Sequence, residues 1–463
     1  MEWGRLPPAG HGEAGRGGPP VSVRPRSVRF ALLGFGTVGA GLARVFADNR
    51  ADIERKLGRG LSMVHVLVRD RDKPRAYPLG ADLLTTDAGR ALDDPDVDVV
   101  VEVMGGIHPA LDYTLRALRS GRPVVTANKD VMAEHGEAVW AAASAGHADV
   151  FFEASVGGGI PIVRALKESL AGSRIRRLAG ILNGTTNFIL TRMTQEGVSQ
   201  ERALAEAQRL GYAEADPSAD LDGLDAARKL AILSSIAYNT RCLPAGVHCQ
   251  GISRVTAADV LQAARLHCVI KLLAVSEARD GGVSMQVYPA LVPSEHPLAA
   301  VGGAFNAIYV QGDALGDAMF YGPGAGALPT ASAVLGDLMQ AARFLDRGGA
   351  GTGCTCFYRR PALGAAQIRS RFYVRLRVAD RVGVLAQIAS VFGAAGVSIL
   401  SMMQTPAPEM AAPTPEDGEG CAELILTTHH VGEDRMADAI AGLDRLQVVA
   451  GVGAVLRLAP EGL

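Results

Sequence analysis

Apolar and polar positions follow two rhythms along this chain, and the places where the rhythm changes divide it into units. Residues 28–34 form a nearly continuous apolar run, the pattern of a strand buried on both faces. A helical period follows through about Asn49. Strands are then predicted at residues 62–69, 97–104 and 123–126, with a helix over 110–120 that stops at Gly121. Strand and helix alternating over residues 28–150 predict a doubly wound, Rossmann-type dinucleotide-binding unit. From Asp149 the texture changes. Helices are predicted at 162–170, 199–210, 223–238, 257–266 and 330–343, and strands at 175–182, 283–291, 306–311 and 318–321. Over residues 151–360 these imply an α+β unit, an open mixed sheet with helices on one face. Residues 370–458 carry period-two alternation and then the order β-α-β-β-α-β, a ferredoxin-like arrangement. Residues 406–420, rich in Pro, Ala, Glu and Gly, read as an insertion between its middle strands.

Composition narrows the class. A chain of 463 residues is too long for one core. The formal net charge of -2 gives no footprint for nucleic acid or an anionic membrane. No apolar stretch reaches the roughly 18 residues of a membrane span. The six cysteines form no paired C-x-x-C pattern, so a reducing, cytoplasmic setting is the simplest expectation. Residues 1–27, dominated by Gly, Pro and Arg, lack the apolar core of a signal peptide and read as a disordered tail.

Chemistry enters at four places. Gly34-Phe35-Gly36-Thr37-Val38-Gly39 lies between a strand and a helix, where its glycines let the backbone approach a pyrophosphate at the helix N-terminus. The second strand ends in Val68-Arg69-Asp70-Arg71. Arg69 there suits a ribose 2′-phosphate and favours NADP, Asp70 keeps NAD open, and a solvated basic turn is the plain alternative. Lys129 follows a strand's carboxyl end, where open α/β sheets bind ligands; a surface lysine opening a helix explains it equally well. The turn from Glu153 through Gly157-Gly158-Gly159 offers a carboxylate and carbonyls for a hard monovalent cation, or simply packs on a cofactor.

The densest signal lies between residues 214 and 229. Glu214, Asp216, Asp220, Asp222 and Asp225 precede Arg228-Lys229 on an otherwise apolar helix. Asp225 and Lys229 are spaced i,i+4, an ordinary helix pair worth about 0.2–0.5 kcal/mol. Asp222 is placed to cap that helix. The apolar run after Lys229 predicts a buried ammonium, and burial lowers a lysine's pKa toward the range useful for proton transfer.

Asn183-Gly-Thr-Thr-Asn-Phe-Ile-Leu and Gly223-Leu-Asp-Ala-Ala-Arg-Lys229, behind the glycine turn and Ala127-Asn-Lys129, resemble homoserine dehydrogenase over residues 28–358. Residues 371–458 resemble an ACT domain, with Asp380-Arg-Val-Gly383 joining strand to helix and Val382 where proline is usual. The resemblance implies a monofunctional, reversible, NAD(P)H-dependent reductase of L-aspartate 4-semialdehyde to L-homoserine, serving threonine, methionine and isoleucine biosynthesis. It implies Lys229 as proton donor with Asp225 orienting it, Glu214 and Asp220 on the substrate ammonium, and Lys129 between nicotinamide and substrate. Cofactor contacts are implied for Gly34, Phe35, Gly36, Thr37, Val38, Gly39, Arg69, Gly105, Lys129 and Gly326. A sodium ion is implied at Glu153, Val156, Gly158 and Ile160. A homo-oligomer with a small amino-acid effector, threonine, is the expected form. The rival readings are a reductase of another oxo acid and an amino-acid sensor with a vestigial dehydrogenase.

Overall fold

The computed structural model describes residues 26–346, 351–406 and 420–463; the expected tail and most of the 406–420 insertion lie outside them. The first sheet contains β1 (Val28–Leu33), β2 (Leu61–Leu67), β3 (Leu84–Thr85), β4 (Val99–Glu102), β5 (Val124–Thr126) and β6 (Val150–Phe151). They run parallel in the order β3-β2-β1-β4-β5-β6, with the topological switch between β1 and β4. Its helices are α1 (Thr37–Leu57), α2 (Ala88–Leu92), α3 (Ala110–Arg119) and α4 (Lys129–Ala145). Helix α1 runs beyond Asn49 because its polar second half is still anchored. Ile53 is buried, Arg50 and Glu54 pair at 2.9 Å, and Gly58 closes the helix at φ 74.

The second unit begins with the short turn α5 (Ile162–Arg164), which widens into a π-helical turn at Ala165–Ser169, so the single helix expected over 162–170 is broken. It continues through β7 (Ile175–Ile181), α6 (Gly184–Glu196), α7 (Gln200–Arg209), α8 (Ser218–Leu221), α9 (Leu224–Ala237), β8 (His248–Cys249) and α10 (Ala257–Arg265). Then come β9 (Cys268–Arg279), β10 (Gly282–Pro293), β11 (Phe305–Gly312), β12 (Gly316–Pro323) and α11 (Ala327–Asp346). Strand β9 is absent from the sequence reading, yet it pairs with β10 along its whole length. An apolar run interrupted by Lys271 has no decisive period. Helix α11 returns to the first sheet, where Ala331, Val334 and Leu338 share a core with Phe30 and Leu32. The nucleotide unit is thus completed by chain from beyond residue 326.

The last unit comprises β13 (Arg369–Ser370), β14 (Phe372–Ala379), α12 (Val384–Ala394), β15 (Ile399–Pro406), β16 (Cys421–Thr428), β17 (Val431–Gly432), α13 (Glu433–Leu443) and β18 (Val449–Leu458). Its ferredoxin-like sheet does not stand alone. Strand β18 pairs in parallel with β10 at Ala290↔Arg457 and Leu291↔Leu458, so among the described residues one sheet runs β12-β11-β7-β9-β10-β18-β14-β16-β15. That pairing covers part of an edge that β10 would otherwise leave open.

A buried ionic cluster locks the same boundary. Arg375 of β14 reaches Asp259 at the start of α10 at 2.6 Å and Glu423 of β16 at 3.0 Å. Asp259 also closes a capping box with Thr256. Removing one member of such a cluster strands the others without compensation. Arg375→Ala is therefore expected to cost about 3–5 kcal/mol of stability, seen as a lower urea midpoint; an unchanged midpoint would show that the cluster contributes nothing.

Candidate active site

Asn183 ends β7's exit and caps α6, its side-chain oxygen accepting from the Thr186 amide at 2.8 Å. This fixes the direction of its NH2 group, which donates to Asp220 at 2.7 Å and to Asp225 at 3.0 Å. Asp225 is buried and faces two ammonium groups. Lys229, one helical turn on, donates to it at 2.6 Å and to the Leu182 carbonyl at 2.9 Å. Lys129, from the nucleotide unit, approaches to 3.5 Å. Burial pushes the Asp225 carboxyl up, but Lys229, Lys129 and the hydrogen bonds from Lys229 and Asn183 bring it down to about 2.

The cationic pair divides its work. Arg228 points outward to Asp130 at 3.3 Å and Glu134 at 3.5 Å, binding α9 to α4, while Lys229 turns inward. Asp216 accepts from the Ser218 amide at 3.1 Å, holding the turn that opens α8. The expected cap by Asp222 is not formed. Gly223 occupies the cap position at φ 82, a left-handed conformation that breaks α8 from α9 and turns Asp222 outward. Glu214 lies exposed between α7 and α8 and, among the described residues, touches none of Asn183, Asp225 or the lysines.

The rest of the Asn183 motif is structural support. Gly184 lets the backbone at Ala304 come close, and Thr185 donates to the Tyr212 carbonyl at 2.6 Å. Asn187 donates to the carbonyls of Val301, Gly303 and Phe305. Its oxygen accepts from Lys271 at 3.2 Å, whose ammonium burial pushes down to about 8.

At the carboxyl ends of β1, β2 and β4 lies a cavity of about 950 Å³, large enough for a dinucleotide-sized ligand. Gly34, Phe35, Gly36 and Thr37 line it; Val38 and Gly39 stand behind in α1. A β-carbon at Gly39 would lie 2.4 Å from the Gly34 carbonyl oxygen, whereas one at Gly36 would meet no protein atom within 4 Å. The first glycine is demanded by the turn; the second leaves open space above a helix N-terminus. Arg69 and Gly105 line the same cavity, and Gly326 immediately precedes the lining residues Ala327 and Leu328.

Glu102 was missed in the sequence, although an acid ending an apolar strand is a visible signal. Fully buried, it accepts from Thr126 at 2.7 Å and from the Met104 amide at 2.7 Å, and burial raises its carboxyl above the usual range. Thr126 in turn accepts from the Asn128 amide, and Asn128 caps α4 and holds the Gly106 carbonyl. This network aims Lys129.

The Glu153 turn packs on the 321–326 loop: Gly158 lies against Gly324, and the Gly159 amide donates to the Pro323 carbonyl at 3.2 Å. Its carboxylate is occupied, accepting from the Val163 amide at 2.7 Å and the Arg164 amide at 2.8 Å. No cluster of three or more His, Cys, Asp or Glu suited to a metal exists among the described residues.

Comparison with known proteins agrees with this geometry. Residues 34–153 match the homoserine dehydrogenase NAD-binding domain, 161–339 homoserine dehydrogenase, and 372–445 the ACT domain. A Bacillus subtilis homoserine dehydrogenase is 40% identical over 438 residues, 94% of this chain and 99% of its own. The chain belongs to the homoserine dehydrogenase family. A solved homoserine dehydrogenase from Thiobacillus denitrificans superposes with TM-score 0.86 at 40% identity, over 94% of this chain and 98% of that one. A hyperthermophilic archaeal homoserine dehydrogenase mutant, solved in complex with NADPH, gives TM-score 0.57 at 29% identity, over 68% of this chain and 98% of that one. As a homoserine dehydrogenase, the protein interconverts L-aspartate 4-semialdehyde and L-homoserine with NAD(P)H and carries an ACT regulatory unit.

Because Asp225 stays ionised down to about pH 2, it contributes no acid limb to activity above pH 4. Asn183→Asp places a third carboxylate against Asp220 and Asp225 and removes their shared donor. An acid limb should then appear as like charge raises Asp225, with kcat/KM falling roughly 100-fold, about 2.7 kcal/mol. A pH–rate profile identical to the parent's would refute the bridging role.

Proposed function

We propose that Lys229 is the general acid of this homoserine dehydrogenase, protonating the aldehyde oxygen of aspartate 4-semialdehyde in the reductive direction and removing the hydroxyl proton of homoserine in reverse. The observation that carries this is the Asp225 carboxylate held between Lys229 at 2.6 Å and Lys129 at 3.5 Å. Bound NAD(P)H supplies the hydride; the protein supplies position and the proton. Asp225 holds Lys229 aimed, accepting from its ammonium at 2.6 Å. Lys129, set at the sheet's carboxyl edge, lies where nicotinamide and substrate meet. Asp220 and Glu214 grip the substrate ammonium, which brings the exposed Glu214 into the site only once substrate is bound.

NADP is the proposed preferred cofactor. Arg69, Asp70, Lys73 and Arg75 all line the cavity, three cations against one carboxylate in that segment, and the Asp70 carboxylate also accepts from the Asp72 amide within its own turn. The archaeal relative was solved with NADPH. A sodium ion would rest on the carbonyls of Val156, Gly158 and Ile160, with Glu153 anchoring the turn. The Ile160 carbonyl already accepts from the Ile162 amide at 2.9 Å, leaving its second lone pair for an ion. A homo-oligomer with threonine as ACT effector completes the proposal. The exposed Leu400 and Met402 on edge strand β15 and Val382 at the strand–helix joint support an ACT surface used in assembly.

Lys229→Met is expected to lower kcat by roughly 10²–10⁴-fold with NADPH affinity unchanged by fluorescence titration; an active variant removes the assignment. Glu214→Gln should raise the homoserine KM with kcat largely kept, and equal KM values would exclude its ammonium role. Homoserine oxidation measured with NADP and NAD in parallel, with and without threonine, tests cofactor and effector together. Arg69→Ala should narrow any NADP preference.

A further inference from the structure

We propose that Gln250 is a positioning residue for the substrate-ammonium pocket, making the last strand of the ACT unit part of that pocket's frame. The proposal rests on Asp220 binding the ammonium. Gln250 lies in the turn after β8 and touches neither Asp220 nor Lys229. Its backbone amide donates to the Val287 carbonyl of β10 at 2.8 Å. Both ends of its side-chain amide are taken by β18: the oxygen accepts from Arg457, and the nitrogen donates to the Val455 carbonyl at 3.2 Å.

Arg457 is itself immobilised. It forks onto both oxygens of Glu433 at 2.8 and 2.6 Å and lies over the Tyr288 ring at 5.0 Å. A planar guanidinium held by its Nε and Nη2 and stacked on a ring presents its Nη1 in a fixed direction, so Gln250 receives a rigid reference point.

The next residues carry that reference to the site. The Ile252 amide donates to the Leu221 carbonyl at 2.8 Å, and the Cys249 thiol contacts the Asp222 carbonyl at 3.1 Å. Gly251 lies so close that a β-carbon there would fall 2.1 Å from the Leu221 oxygen and 2.6 Å from the Asp222 α-carbon. Leu221 and Asp222 directly follow Asp220, and the Gly223 amide donates back to the Asp220 carbonyl at 3.0 Å. The 249–252 turn therefore sets where the Asp220 carboxylate stands. Asp225 and Lys229 share Asn183 with Asp220 but have further anchors outside this turn, in Lys129, the Leu182 carbonyl and Arg228 on α4. Loss of Gln250 should consequently loosen substrate binding while sparing the proton-transfer pair.

Steady-state kinetics on the full chain separate these effects. Gln250→Ala should raise the homoserine KM about fivefold, the worth of one net hydrogen bond, with kcat within about twofold and the NADP KM unchanged. Gln250→Glu keeps the reach and the acceptor for Arg457 but loses the donor to the Val455 carbonyl, so its homoserine KM should fall between those of Gln250→Ala and the parent. Should Gln250→Ala fail to fold, Gln250→Asn, which keeps the amide without its reach, is read in the same way. Asp220→Asn is the control. If it raises the homoserine KM and Gln250→Ala does not, the positioning role is wrong. If both KM values of Gln250→Ala rise in step, Gln250 is merely structural. If Asp220→Asn leaves the KM unchanged, the ammonium reading of Asp220 falls, and the proposal falls with it for that separate reason.

Discussion

A carboxylate buried in protein is tolerated only where charge and hydrogen bonds replace the water it has lost, and Asp225 obtains these from three separate parts of the chain. Lys229 comes from its own helix, Asn183 from the end of β7, and Lys129 from the nucleotide unit. None of the three suffices alone. The helix pair by itself is the commonplace i,i+4 contact of many surfaces. What changes its meaning is the docking of α9 against α4, enforced by Arg228, which brings a second ammonium to the other side of the same carboxylate. The association of the two units is therefore written into the electrostatics of the site, and Asp225 lies between two ammonium groups only in the assembled molecule.

The same dependence recurs at larger scale. Helix α11 fills the core of the first sheet from the far end of the second unit, and β18 continues the second sheet from the ACT unit. The second and third units each lend an element to a neighbour, and the first residues of α11, Ala327 and Leu328, line the cofactor cavity. Such exchanges turn boundaries that resemble hinges into shared cores. They also hold the Glu153 turn: Gly158 is packed against Gly324, Gly159 against Pro329, and the Glu153 carboxylate is consumed by two backbone amides.

Local features were legible in the sequence wherever one short segment contains its own explanation. The glycine turn announces itself because strand, turn and helix are contiguous, and α9 because its apolar period surrounds a single lysine. The β-α-β-β-α-β order of the last unit was visible for the same reason. Features that depend on distant partners were not. Strand β9 carries Lys271, which looks misplaced until Asn187 and the Val301 carbonyl are brought to it by folding. Glu102 reads as a polar blemish in a strand until Thr126 and Asn128 stand beside it. The cap assigned to Asp222 failed because Gly223 adopts a left-handed turn, placing the helix start one residue later than an Asp cap requires. The joining of two sheets through β18 has no local signature, since an edge pairing is specified by the partner strand's exposure.

The four aspartates between 216 and 225 can now be separated by what neutralises each. Asp225 has two cations; Asp216 is committed to a backbone amide; Asp222 faces solvent. Asp220 is different. Among the described residues its carboxylate accepts from the neutral amide of Asn183, which orients a carboxylate without cancelling its charge. A half-buried acid held in place but not neutralised carries a desolvation cost that a cation would recover. In the proposed function that cation is the substrate's own ammonium, so the pocket is incomplete by one positive charge until an amino acid enters it. An oxo acid lacking the amine would leave that deficit in place. Discrimination in favour of an amino-acid aldehyde then follows from the charge left uncancelled at Asp220, as well as from the shape of the pocket.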